Sequence, residues 1–509
     1  MSTQTTIEHS TYSKFYQLNR HKSDQVEFED LKIYKEINDT KEAIWCMKWS
    51  SCGQLLAVAG GDQLIRIYCC PKAWKYFSQL RIKASGQHIS PTPSKERDNQ
   101  SVNITSSSNP LRNDHSTNRQ SSSNSGSSLE SSHKIQQQQH QHHPQQQQHF
   151  PQSSTNEQQP NNTTEANEQA GQSCVKRSTS FLSTEDTTLS EDPLLLFSIY
   201  QGHTADVLDV AWSKNHFLLS SSMDKTVRLW HVTRVECLCT FFHADFVSTA
   251  DFHPHDDRYF VSGSLDGKLR LWNIPDKKVT MWNEVMSLPA KDSEQPSHGL
   301  ITASAFVQNG KFAVIGTYDG RIIFYSTEQL KFFTQLHVGK HHEKIKITGI
   351  KSVDDTKILV TTNDSRIRLY DLRDLSLVCK YKGCTNISSQ IRASVSPDNK
   401  YIICGSENSS FYIWPMYESS TSIGQRKDRN YAWECIRFTT TSADTNPASS
   451  TINSSAGAST NSDKVKSMQS RTNIMTAANF APIPNLIVPH AKYVIVVADL
   501  HGTLRILNK

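Results

Sequence analysis

The sequence predicts an all-β fold in which seven small antiparallel sheets stand around an axis as a propeller. Three observations predict it. A polar turn, then alternating apolar residues, then an aromatic or large apolar residue recurs seven times along the 509 residues. Two short apolar strands precede each copy. Without two compositionally biased segments, about 340 residues remain for the seven units, roughly 49 each, near the ~40–45 of one four-stranded blade.

The recurring stretches are GGDQLIRIY (60–68), SMDKTVRLW (222–230), SLDGKLRLW (264–272), TYDGRIIFY (317–325), TNDSRIRLY (362–370), SENSSFYIW (406–414) and DLHGTLRIL (499–507). In five of them an Asp (Asp62, Asp224, Asp266, Asp319, Asp364) stands six residues before the terminal aromatic. Before each turn lies a strand-like run: LLAVA, FLLSS, YFVSG, FAVIG, ILVTT, YIICG and YVIVVA. Before those lie AIWCMKW, VLDVAW, VSTADF, ITASAF, ITGI, IRASV and IMTAANF. Period-two alternation with β-branched residues marks half-buried strands. Arranging such sheets in a ring protects their edges.

A ring needs its first and last blades tied together. The last unit supplies three strands and the chain stops two residues past Leu507. DLKIYKEI (30–37) is the unassigned strand near the other terminus, and it is predicted to complete the seventh blade. PLLLFSIY (193–200) reads as the fourth strand of blade 1, and NYAWECIRF (430–438) as the outer strand of blade 6.

The resulting division is a tail at 1–26, then the closing strand with three strands of blade 1 at 27–82. An insert follows at 83–192, then the end of blade 1 with blades 2 to 6 at 193–438. A second insert occupies 439–470, and blade 7 occupies 471–509. The first insert is rich in Ser, Gln, Asn and His, and the second in Ser, Thr, Asn and Ala. Such compositions bury too little apolar area to offset chain entropy, so both inserts and the tail are expected to be disordered.

Lys+Arg number 54 against 49 Asp+Glu, a formal charge of +5 that calls for neither nucleic acid nor an acidic membrane. No apolar run approaches the ~18 residues of a membrane helix, and the N-terminus has no secretory h-region. The 11 cysteines form no CxxC pair, and Cys237 and Cys239 stand two apart, so they read as reduced thiols of a cytoplasmic or nuclear chain. The Asn-x-Ser/Thr matches at Asn103 and Asn162 then carry no sugar. There is no P-loop, GxGxxG or HExxH, and no catalytic residue, cofactor or metal is expected. His140, His142 and His143 sit in a polyglutamine run and read as compositional bias.

Gly202 and His203, followed by VLDVAW, SSSMDKTVRLW and SGSLDGKLRLW, resemble the WD40 repeat family. The resemblance implies a seven-bladed WD40 β-propeller in which His, Ser or Thr, Asp and Trp form a hydrogen-bonded chain that locks each blade. In blade 2 it assigns these places to His203, Ser222, Asp224 and Trp230, and in blade 3 to His243, Ser264, Asp266 and Trp272. Asp319 and Asp364 take the turn place in blades 4 and 5. Recurrence of Ser222, Ser264, Thr317, Thr362 and Ser406 two residues before the turn position points to scaffold rather than to a Ser–His–Asp nucleophile. Blade 1 departs at Gly60 and Thr40, and blades 6 and 7 carry Asn408 and His501 in place of Asp, so these three are expected to be looser.

The run from KTVRLWHVTRVECLCTF through NDSRIRLYDLRDLSL is similar to family members that bind Rab GTPases at recycling endosomes. The resemblance therefore implies a non-catalytic scaffold in vesicle traffic, with a Rab-family GTPase or trafficking adaptor as partner. It also implies a cytoplasmic location, peripheral on endosomal or perinuclear membranes. In such members the Rab-binding part largely precedes the propeller. An RNA-associated propeller and a substrate adaptor of a ubiquitin ligase are the alternatives. Three accessible sites stand out. VKRSTSF places Arg177 three residues before Ser180, making Ser178 and Ser180 candidate phosphorylation sites. Lys340, Lys344 and Lys346 form one basic loop, and Arg426, Lys427 and Arg429 another.

Overall fold

The computed structural model describes residues 7–9, 12–17, 27–86, 192–287, 298–339, 345–416, 433–438 and 473–509. These residues form seven antiparallel sheets, each containing a four-strand blade, a to d from the axis outward; the sheet of blade 6 carries two further strands. Blade 1 consists of Ile44–Trp49, Leu55–Gly60, Ile65–Cys69 and Leu195–Tyr200. Blade 2 consists of Val207–Trp212, Phe217–Ser222, Thr226–His231 and Cys239–Phe242. Blade 3 consists of Val247–Phe252, Tyr259–Ser264, Lys268–Asn273 and Lys278–Glu284. Blade 4 consists of Ile301–Val307, Phe312–Thr317, Arg321–Ser326 and Phe332–His337. Blade 5 consists of Ile347–Asp354, Lys357–Thr362, Arg366–Asp371 and Leu377–Tyr381. Blade 6 consists of Ser394–Val395, Tyr401–Gly405, Ser410–Pro415 and Trp433–Phe438. Blade 7 consists of Met475–Phe480, Val494–Asp499, Leu504–Asn508 and, from the other end of the chain, Lys32–Ile37.

The strand patterns follow from these positions. Strand b is covered on both faces by neighbouring blades, so it reads as a continuous apolar run; LLAVAG of blade 1 is buried throughout. Strand d has one face toward solvent, and KVTMWNE of blade 3 alternates accordingly. At Gly316 a side chain would collide with Ile347 on the inner strand of the next blade, so glycine there lets blades 4 and 5 approach.

The ring closes as the sequence predicts. Lys32–Ile37 pairs antiparallel with Leu504–Asn508, with Ile33 opposite Leu507 and Ile37 opposite Leu504. Blade 7 then meets blade 1 through the Asn479 amide, which donates to Met47 O at 2.8 Å, and the Thr476 hydroxyl, which donates to Ile44 O at 2.5 Å. Just before the closing strand, Phe28 is fully buried against Tyr401, Phe480 and Tyr493. The backbone N–H groups of Glu27 and Phe28 each donate at 3.0 Å to the Glu434 carboxylate of blade 6. The Glu27 carboxylate pairs in turn with Lys492 at 2.6 Å.

Three features depart from the sequence expectation. The tail expected to be disordered at 1–26 contains two strands, Ile7–His9 and Tyr12–Gln17, and the second pairs with Trp433–Phe438 to extend blade 6 outward. The reason is the open edge of blade 6, which offers unpaired N–H and C=O groups to an aromatic-rich stretch of high strand propensity, YSKFYQ. A helix, α1 (Pro71–Ala84), follows strand c of blade 1 and runs past the boundary placed at 82. Pro71 begins it without loss of a needed N–H, and Ala73 and Phe77, four apart, bury one face. A short helix, α2 (Pro484–Ile487), lies between strands a and b of blade 7. The disorder expected for 83–192 and 439–470 falls, apart from 83–86 and 192, outside the described residues. Ten cysteines, Cys237 and Cys239 included, are free thiols. Among the described residues no helix is long and apolar enough to cross a membrane.

Candidate functional site: the rim and channel mouth

Antiparallel strands put the b–c turns and d–a connections on one face, and the a–b and c–d connections on the other. The first face carries the turn residues singled out by the repeat.

In blade 2 these residues form a continuous hydrogen-bonded chain. Trp230 Nε1–H donates to Ser220 Oγ at 2.9 Å, and Ser220 Oγ lies 2.7 Å from His203 Nε2. His203 Nδ1 lies 2.7 Å from Asp224 Oδ2. A carboxylate only accepts, so Nδ1 carries the proton and Nε2 takes the serine proton. Asp224 also accepts from the Thr226 hydroxyl at 2.6 Å. Burial pushes the Asp224 carboxyl upward, but the hydrogen bonds from His203 and Thr226 hold it below the usual carboxylate range.

The serine of this chain is Ser220, whereas the repeat pattern assigned the place to Ser222. Ser222 lies at the strand end, where its hydroxyl accepts from Asp224 N–H at 3.0 Å and donates to Ala205 O at 3.1 Å. Ser264 of blade 3 makes the same local turn bond, accepting from Asp266 N–H at 3.3 Å. Reaching the indole requires a hydroxyl one pleat deeper. Blade 3 shows the same displacement. Trp272 donates to Ser262 at 2.9 Å, and Ser262 lies 2.7 Å from His243 Nε2, while Ser264 holds the turn.

Blade 3 differs at the carboxylate. His243 Nδ1 lies 3.2 Å from Phe241 O, and Asp266 pairs with Arg270 at 2.6 Å. Burial, then the Arg270 charge, pushes His243 down to about 4. Arginine partners also neutralise the other turn carboxylates. Asp62 pairs with Arg66 at 2.5 Å, Asp319 with Arg321 at 2.8 Å, and Asp364 with Arg368. Blade 7, where His501 replaces the turn Asp, recruits Asp499 instead, which accepts from Arg505 at 2.6 Å. In blade 6 Asn408 donates to the Tyr412 hydroxyl at 2.8 Å.

The channel mouth is bridged from blade 6. Arg392 Nη1 reaches Asp209 of blade 2 at 2.5 Å, and Lys48 of blade 1 meets the same carboxylate oxygen at 3.1 Å. Burial opposes the charge on Asp209, and these two cations hold its carboxyl below its ordinary value. The Gln390 amide donates to Thr302 O at 3.0 Å and Thr348 O at 2.9 Å, in blades 4 and 5. One connection thus ties blades 2, 4, 5 and 6 across the axis.

Around this mouth one hydrogen bond repeats in every blade. The residue after the Ser/Thr place donates its N–H to the carbonyl of a residue at the entry to strand a. The seven pairs are Gly61–Ala43, Met223–Asp206, Leu265–Phe246, Tyr318–Leu300, Asn363–Lys346, Glu407–Thr385 and Leu500–Ile474, at 2.8–3.1 Å. Their side chains set the chemistry of the rim. Blades 2 to 4 present Met223, Phe246, Leu300 and Tyr318, with Phe246 37% and Tyr318 49% exposed. Blade 5 presents Lys346, whose ammonium is pushed down by burial and by Arg392. Blade 6 presents Glu407. The repeat reading missed the apolar arc because these positions vary between units, and that variability beside an invariant turn was the available signal.

Of the basic loops, Lys346 sits on this rim, while Lys340, Lys344, Arg426, Lys427 and Arg429 lie outside the described residues, as do Ser178 and Ser180. Among the described residues no cluster of three or more His, Cys, Asp or Glu is arranged to hold a metal ion.

The family model "WD domain, G-beta repeat" matches residues 32–69, 195–231, 235–273 and 376–415. The first two matches begin with the outer strand of one blade and end with strand c of the next, so the sequence repeat is offset from the blade. WD repeat-containing protein 44 of Xenopus laevis is 45% identical over 419 residues, which is 81% of this chain and 38% of that protein. An uncharacterized WD repeat-containing protein of Schizosaccharomyces pombe is 36% identical over 42% of this chain and 36% of its own length. The 2-deoxy-glucose resistant protein 2 of Saccharomyces cerevisiae is 34% identical over 45% of this chain and 28% of its own length. The chain thus spans well under half the length of these relatives. The chain thus carries WD40 repeats and is folded as a seven-bladed β-propeller.

Proposed function

We propose that the ring is a non-catalytic docking platform in vesicle traffic and that it receives a protein partner on the rim of blades 2 to 5. The carrying observation is the exposed arc of Met223, Phe246, Leu300 and Tyr318 beside Lys346. Aromatic residues and methionine held on a rigid frame are the groups from which interface anchors are built. The frame beneath them, knitted by Arg392 and Gln390, is fixed before the partner arrives, which lowers the ordering cost of binding. The resemblance described above supplies the cellular setting: a Rab-family GTPase or trafficking adaptor as partner, and a cytoplasmic location peripheral on endosomal membranes.

Proximity labelling in cells tests this with the wild-type chain and a Phe246→Ala/Tyr318→Ala variant of equal thermal stability. Trafficking GTPases or their adaptors are expected among the wild-type neighbours and lost from those of the variant. Their absence from both, or equal labelling by both, refutes the reading.

A further inference from the structure

Helix α1 lies on the face opposite the rim and interrupts blade 1 between its third and fourth strands. It is fastened at several points. The Phe77 ring meets His216 of blade 2 at 5.2 Å, and the Trp74 ring meets Phe197 of blade 1 at 5.3 Å. The Arg81 guanidinium sits 4.1 Å over the Phe197 ring and donates to Val232 O of blade 2 at 3.0 Å. Lys72 donates to Asn485 O of α2, in blade 7, at 3.0 Å. The helix is therefore a fixed bar across blades 7, 1 and 2.

Its outward face is of one sign. Lys72, Lys75, Tyr76, Gln79 and Lys83 are exposed and follow one another at the three- and four-residue spacing of a single helical stripe. The sequence PKAWKYFSQLRIKA contains no Asp or Glu, and among the described residues Lys72, Lys75 and Lys83 have no ion-pair partner. Tyr76, 53% exposed, sits in the middle of the stripe as an apolar anchor with a polar tip.

We propose that α1 is a docking helix for an extended acidic segment of a protein partner. Charge complementarity demands an anionic ligand, and the surroundings demand a narrow one. Away from α1 the same face of the ring is of mixed charge, with Asp276 beside Lys277 and Asp374 beside Arg373 all exposed, so a flat anionic membrane would meet both signs there. Along α1 the positive charge runs without an acidic break from Lys72 to Lys83, about 17 Å. About five residues of an extended peptide span such a strip. Phosphate or lipid headgroups would supply the same charge without the linear spacing.

Fluorescence anisotropy with the full chain tests the proposal. The probe is a labelled peptide of about eight residues alternating Asp or Glu with Leu. The wild type is expected to bind it at low salt and to release it as salt rises. Lys75→Glu/Lys83→Glu should weaken binding about tenfold or more, and Lys75→Gln/Lys83→Gln less. Lys278→Glu, on the outer strand of blade 3, should bind as wild type. Failure of the wild type to bind at low salt, or equal binding by the charge-reversed variant, overturns the proposal. So does binding to phosphatidylserine vesicles, but not to the peptide, with the same lysine dependence.

Discussion

Ile33 lies directly opposite Leu507 in an antiparallel ladder, so residues from the two ends of the chain share one sheet. Blade 7 is incomplete without the N-terminal strand Lys32–Ile37. The buried Phe28 just before the ladder adds a packing contact to the hydrogen bonds. Its ring fills the junction of blades 6 and 7, between Tyr401, Phe480 and Tyr493.

Phe28→Ala should therefore cost about 3–5 kcal/mol, the usual range for emptying a buried aromatic site. Tyr34→Ala, on the exposed side of the closing strand, is the control and should cost far less. Urea unfolding of both variants measures the difference; equal midpoints would mean that Phe28 does not fasten the seam.

The Trp230–Ser220–His203–Asp224 chain should behave as a unit. Ser220→Ala leaves two buried groups without partners and should cost about 1–3 kcal/mol. A double-mutant cycle with His203→Ala should be clearly non-additive, because either substitution already breaks the same chain. Additive losses would mean that the two side chains act separately.

His243 gives a signature in pH. Its imidazole is pushed down to about 4 by burial and then by Arg270, from an ordinary 6.5. Between those values the unfolded chain binds a proton that the folded chain refuses. This residue therefore removes stability as pH falls from 6.5 to 4, by roughly 3 kcal/mol in full. Its ring carbon and nitrogen NMR shifts should stay those of the neutral form down to pH ~5. A titration centred near the ordinary value would contradict the buried geometry.

Glu434 has the opposite sign. Burial pushes its carboxyl up to about 7 from 4.5, against the pull of the Phe28 and Glu27 N–H groups and Lys509. The folded chain holds a proton in that interval that the unfolded chain has lost. The contribution of Glu434 therefore falls as pH rises from 4.5 to 7, by roughly 3 kcal/mol in full. Glu434→Gln keeps an acceptor oxygen and removes the charge. Because one of the two N–H groups loses its acceptor, it should cost about 1–3 kcal/mol near pH 4.5, and that cost should vanish or reverse by pH 8, as read from urea midpoints. A variant less stable than wild type at pH 8 would show that the ionised carboxylate is the better partner for the two N–H groups.

Much of the ring was legible in the sequence, and the reasons are particular. KVTMWNE carries its burial in its alternation, FAVIGT carries it in a continuous apolar run, and the turn Asp repeats on a fixed count. The closing strand could be found by elimination, since the last blade lacked one strand and 30–37 had no other place. Helix α1 escaped because a fourteen-residue amphipathic stretch merges at its end with a polar insert, and its anchors, Phe197 and Val232, are distant in sequence. The Ser220 place escaped because Ser220 and Ser222 point to the same side of one strand, and only the depth of the Trp230 ring chooses between them. The apolar arc escaped because each of its members is a single residue, and only the ring brings Phe246 and Tyr318 to neighbouring blades.

The central claim is that the N-terminal strand makes seven marginal sheets into one cooperative ring. Thermal unfolding of a chain lacking residues 27–40, compared with the full chain, tests it most directly. The single transition should be lost or move far to lower temperature, with amide protection falling in blades distant from the deletion as well as in blade 7. An unchanged midpoint, or loss of protection confined to Leu504–Asn508, would contradict it.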